Sequence, residues 1–189
     1  MEQLKDLDSL NLREKKKYDG VPEDREPKPF CCLSDASEAE VYYAVLEGGT
    51  VAERATLRKA RAFTLSLFDK KGFEVFRLEK RADFWGSKLE IFDASRVLLG
   101  SVRGPRDHFQ ALDAKKQVLY DIEGASAHPE LFSIRRGKVT LGKISKRPTR
   151  IAEEGVSRND HFGIVFPLAA ELSEKAVLLG ALFLIDLLF

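Results

Sequence analysis

The chain has 189 residues, 44% hydrophobic and 32% charged, the profile of one globular domain with its own core rather than of a disordered chain. Lys and Arg number 31 against 30 Asp and Glu, a formal net charge of +1. Global charge therefore makes no case for tight nucleic-acid binding or for steering to an anionic membrane, and any such role must rest on a local patch.

The opening Met1-Glu2-Gln3-Leu4-Lys5 is charged and does not read as a signal peptide. Leu4, Leu7, Leu10 and Leu12 predict a short amphipathic helix near residues 6–16. Val21 to Pro29 holds three prolines and five charges, a linker composition. Residues 1–35 are thus expected to form an N-terminal arm and linker, and residues 36–189 the folded domain. The only cysteines, Cys31 and Cys32, are adjacent, which disfavours a disulfide. No C-x-x-C spacing exists for zinc, and a thiol-reducing compartment fits.

From about Glu40 short apolar runs alternate with turn signals. Val41–Leu46 ends at Gly48-Gly49. Phe63–Phe68 meets Asp69-Lys70-Lys71-Gly72 and returns as Phe73–Leu78, a hairpin pattern. Further strands are expected at 89–92, 97–102, 109–112, 118–122, 131–134, 139–144 and 162–166. Turns about every ten residues predict an antiparallel sandwich or barrel.

The end breaks that pattern. Glu171, Glu174 and Lys175 sit in the first turns of a helix-forming stretch, and Ala176–Phe189 is apolar on every side. Such a helix is buried or in lipid. The apolar part spans roughly 21 Å, short of the ~30 Å hydrocarbon core, and Asp186 would fall inside it. Two placements stay open, a central helix inside a barrel of about twelve strands or a membrane helix. Its key residues are Leu178, Leu182, Phe183, Ile185 and Asp186.

Three other signals carry little. Gly137–Ile144 approaches a P-loop, but Ile144 stands where Ser or Thr should hold magnesium, and the stretch alternates like a strand. His108, His128 and His161 have no metal-ligand spacing. Phe84 and Trp85, near Arg81, read equally as an interfacial anchor or as core.

The segments Gly142-Lys143-Ile144-Ser145-Lys146, Phe162-Gly163-Ile164-Val165-Phe166-Pro167-Leu168 and Lys175 to Asp186 resemble phospholipid scramblases. Weaker similarity runs from Val41-Tyr42-Tyr43 through Arg61-Ala62-Phe63 and Leu67-Phe68-Asp69. The resemblance implies the tubby-like fold, a mostly β, closed antiparallel barrel of about twelve strands around a central hydrophobic C-terminal helix. It implies a lipid translocator rather than a chemical catalyst: calcium-dependent, bidirectional movement of phospholipids across the bilayer. Membrane phospholipids are the implied partners, at the cytoplasmic face of the plasma membrane, and the expected state is a monomer.

The resemblance also places a calcium segment at 158–169, with Asn159, Asp160, His161, Phe162 and Phe166 among its residues. Against the oxygen-ligand pattern of such loops, Arg158 holds the first position, Ala169 the last, and Phe162 and Phe166 two more. The family's palmitoylated cysteine cluster is replaced by Arg81–Ser87, leaving Cys31 and Cys32 either as lipidation sites or as surface thiols without a role. Its nuclear-import segment aligns with 142–151, where Lys143, Lys146, Arg147 and Arg150 form a basic surface for importin, phosphoinositide or nucleic-acid phosphates. The alternative to scrambling is a lipid- or protein-binding module that uses this surface, and a charge-guarded barrel edge is the plain structural reading of the same residues.

Overall fold

Alternating strands send every second side chain to a common interior, and the computed structural model closes that interior into a barrel. It describes residues 2–15, 30–47, 62–81, 87–105, 107–125, 128–147 and 161–188. The wall has strands β1 (Ser9–Lys15), β2 (Phe30–Ser34), β3 (Glu40–Glu47), β4 (Phe63–Asp69), β5 (Glu74–Lys80) and β6 (Ser87–Asp93). It continues with β7 (Leu98–Gly104), β8 (His108–Asp113), β9 (Val118–Ala125), β10 (His128–Arg136), β11 (Val139–Arg147) and β12 (His161–Val165). Sequence neighbours pair antiparallel around the ring. β1 closes it against β12, with Ser9 opposite Val165, Leu10 opposite Ile164 and Asn11 opposite Gly163.

Four hairpins share one turn chemistry. Asp35, Asp69, Asp93 and Asp113 each accept at the backbone carbonyl from the amide three residues on, at 3.0–3.1 Å. Each Oδ1 also accepts from the amide four residues on, at Ala39, Phe73, Val97 and Gln117, over 2.8–3.0 Å. The fourth residue of each turn is left-handed, with φ of 66° at Glu38, 81° at Gly72, 64° at Arg96 and 67° at Lys116. The carboxylate ties the loop closely enough that three of the four hold this conformation without glycine.

Because the barrel runs up and down, these turns, the two-residue β10–β11 turn at Gly137-Lys138 and the β12-to-helix connection all lie at one end. We call it the turn end. The connections at the opposite end, β7–β8 apart, lie mainly outside the described residues.

Helix α1 (Leu172–Leu188) enters at the turn end and fills the barrel. Ala176 to Ile185 are all buried, against β6, β7, β8 and β12. Close approach needs glycine at two contacts. A Cβ on Gly100 would stand 2.2 Å from the Leu112 carbonyl oxygen and 2.6 Å from Val177 Cγ2. One on Gly180 would stand 2.7 Å from Ile91 Cγ1. The helix is therefore central to the barrel, and no described helix is long and apolar enough to cross a membrane.

The N-terminal reading is corrected. Residues 9–15 are strand β1 rather than an amphipathic helix, and only the 3-10 turn Glu2–Asp6 precedes them. Leu4, Leu10, Leu12 and Leu33 belong to the core. The boundary expected at residue 35 therefore falls inside the barrel, while the Val21–Pro29 stretch lies outside the described residues.

Candidate functional site

The start of α1 gathers the most elaborate polar cluster described. Glu174 is the third helical residue, and its Oε2 accepts from the Glu171 amide at 3.1 Å, half of a capping box. The same oxygen accepts from the Tyr120 hydroxyl at 2.8 Å, and Oε1 accepts from Arg136 Nη2 at 2.8 Å. The Arg136 guanidinium lies 4.6 Å over the Tyr120 ring. Burial, then the hydrogen bond to Glu174, pushes the Tyr120 hydroxyl above its ordinary range. One residue on, the buried Lys175 sends Nζ to the carbonyls of Lys5 at 2.7 Å and Leu7 at 2.8 Å, 5.6 Å from the Phe166 ring. The cluster fixes where α1 starts and seats the N-terminal turn on it. The sequence places Glu171, Glu174 and Lys175 in the first turns of a helix-forming stretch, of which Glu171 precedes the helix, and carries no signal for Tyr120 or Arg136, which arrive from β9 and β10.

The calcium segment divides. Residues 158–160, including Asn159 and Asp160, lie outside the described residues, and of His161 only the backbone is described. Phe162, Ile164 and Phe166 point inward and are buried. Ile164 pairs with Leu10 and Ile144. Two positions that would supply oxygen are thus buried phenyl rings, Phe162 on β12 and Phe166 just past its end, and at those two positions the chain does not fit a calcium loop. Among the described residues no group of three or more His, Cys, Asp or Glu could hold a metal ion.

The basic stretch is split by the pleat of β11. Lys143 pairs with Val165 and is exposed on the outer wall. Lys146 pairs with the buried Phe162, its Nζ 5.5 Å from that ring. The two lysines therefore face opposite sides of the wall. Arg147 ends the strand opposite His161, and Arg150 lies outside the described residues.

Cys31 and Cys32 are not linker residues. Both sit on β2, in the wall, with Cys31 half-buried and Cys32 buried. The surface-thiol reading is corrected for Cys32, whose sulfur is withdrawn from solvent. Of the central-helix residues, Leu178, Leu182, Phe183 and Ile185 are buried and Asp186 is half-buried near the far end.

The sequence that builds this barrel and helix has relatives among known proteins. A family model described as Scramblase matches residues 24–189. Phospholipid scramblase 1 of Mus musculus is 32% identical over 168 residues, covering 79% of this chain and 51% of that protein. Its Homo sapiens counterpart is 30% identical over 168 residues, with 79% and 52% covered. Phospholipid scramblase family member 5 of Homo sapiens is 24% identical over 208 residues, with 100% and 76% covered. The chain spans about half the length of the phospholipid scramblase 1 proteins it matches. No solved structure matches it. With the family model covering the barrel from before β2 to the last helical residue, the chain belongs to the scramblase family.

Proposed function

We propose that this chain acts on membrane phospholipids as a translocator rather than a chemical catalyst, moving them between leaflets as its family name describes. Family membership over residues 24–189 carries the reading. The proposed location is the cytoplasmic face of the plasma membrane. Calcium is not assigned to the 158–169 segment, because Phe162 and Phe166 are buried in the core, and the activity is proposed to run without an ion there.

One observation favours a second reading, a phospholipid-binding module without translocation. Ala176 to Ile185 of α1 are enclosed by the wall, and no described helix is long and apolar enough to cross ~30 Å of hydrocarbon. Nuclear import through Lys143, Lys146, Arg147 and Arg150 is weakened by the opposite facing of the two lysines, and a joint surface for importin would need Arg147 and Arg150 to supply it.

Vesicles carrying a fluorescent phospholipid in both leaflets separate the readings when an impermeant quencher is added. A translocator lets the quencher extinguish the inner-leaflet signal once the purified chain is present, with or without calcium. Vesicle binding with no loss of inner-leaflet signal leaves the binding module. A requirement for calcium would contradict the ion-free reading.

A further inference from the structure

We infer that the turn end of the barrel, along the arc from the β4–β5 turn to the β12–α1 connection, is the surface that docks on an anionic lipid bilayer; this rests on the reading above that phospholipid membranes are the partner. The exposed large apolar residues among those described are Phe73, Val97, Val118, Val139, Leu141, Val165 and Leu168. All lie at this end or within a few residues of it. Leu168, between β12 and α1, is 91% exposed, and Phe73 is 66% exposed. Such placement has no use in the barrel, whose interior is filled by α1.

The geometry suits a plane. Phe73, Val97, Val118 and Val139 come from successive hairpins. Each hairpin is two strands along the wall from the last, so the tips stand roughly 10 Å apart. Spaced tips of this kind do not form one continuous apolar patch for a protein partner. Together they enter a soft interface as separate anchors.

Charge selects the sign of the surface. The turns 69–73, 93–97, 113–117 and 136–139 carry seven basic residues against three aspartates. Those aspartates are occupied, each accepting a backbone amide within its own turn. Lys70, Lys71, Lys115, Lys116 and Lys138 are exposed, and none makes an ion pair among the described residues. The fifth turn of the end, Asp35-Ala36-Ser37-Glu38-Ala39, has no basic or large apolar residue. It marks where the docking arc stops. Basic residues around apolar tips match the negative surface potential of anionic lipids, which the chain's net charge of +1 conceals.

The test is co-sedimentation of the full chain with vesicles of phosphatidylcholine alone or with added phosphatidylserine. Native protein is expected to sediment with the anionic vesicles and to release as salt rises. Lys71→Glu with Lys115→Glu should weaken binding roughly fivefold or more per lysine. Phe73→Ser with Leu168→Ser should also weaken binding to the anionic vesicles. Lys88→Glu with Arg103→Glu, two exposed residues toward the opposite end of the wall, should leave it unchanged. Thermal unfolding identifies any variant that has lost its fold, and the salt titration of the native chain reads the electrostatic part without a variant. If the turn-end variants bind like native protein, or the opposite-end pair weakens binding as much, the docking surface is wrong while the phospholipid reading stands. If the native chain ignores vesicles but self-associates through these tips, the surface is a protein contact and both fall.

Discussion

Lys175 Nζ donates to the carbonyls of Lys5 at 2.7 Å and Leu7 at 2.8 Å, tying the first turn of α1 to a segment at the other end of the sequence. The side chain is 4% exposed, so few waters replace it if it is lost. Lys175→Met keeps the volume and strands two carbonyls, for an expected loss of about 2–4 kcal/mol. Chemical denaturation measures it. A loss below about 0.5 kcal/mol would mean the N-terminal turn is not held this way.

Glu174 joins Tyr120, Arg136 and the Glu171 amide. Glu174→Ala is expected to cost about 1–2 kcal/mol, mostly through the cap and the buried tyrosine. Arg136 is half exposed, so its own share is small. A double-mutant cycle between Arg136→Ala and Glu174→Ala should return a coupling below about 1 kcal/mol.

The glycines beneath and within α1 predict two graded effects. Gly100→Ala drives a methyl into the backbone carbonyl of Leu112 and should cost about 3 kcal/mol. Gly180→Ala meets the side chain of Ile91, which can shift in part. It also gains about 1 kcal/mol of helix propensity, so its net cost should be smaller. Thermal melts of both variants rank them, and the reverse order would contradict the packing described.

Alkaline pH should loosen the barrel through its tyrosines. Burial first of all pushes the Tyr42 hydroxyl from its ordinary 10.0 up to about 12, and Tyr120 is raised as well. A group with a raised folded value adds stability below its unfolded value and loses it as pH climbs through the folded one. Stability is therefore expected to hold to about pH 10 and to fall toward pH 12. Tyr42→Phe should flatten that fall in a pH series of denaturation midpoints.

Most of the wall was legible because its strands alternate cleanly and end in Asp, Gly or Pro signals. Phe63 to Leu78 shows this best, its hairpin forming about Asp69–Gly72 as read. β1 was not legible, because Leu4, Leu7 and Leu10 repeat every third residue and imitate a helix. Only pairing with β12 and β2, far along the sequence, makes 9–15 a strand. β2 was hidden behind the prolines of the preceding stretch. The enclosure of α1 was readable as one of two options, since composition cannot separate a barrel interior from lipid. The turn-end ring was out of reach. Phe73 and Val97 look like strand residues in sequence, and only the closed topology shows that they project together.

A barrel that meets the bilayer from outside, with α1 still enclosed, should be released by salt without unfolding. The most direct measurement is to bind the full chain to phosphatidylserine vesicles, wash in ~1 M salt, where the Debye length shrinks to about 3 Å, and assay pellet and supernatant. Folded protein is expected to return to the supernatant. Retention in the pellet after that wash, persisting in the Phe73→Ser with Leu168→Ser variant that lacks the apolar tips, would mean that α1 has left the barrel for the hydrocarbon, and would contradict its enclosure.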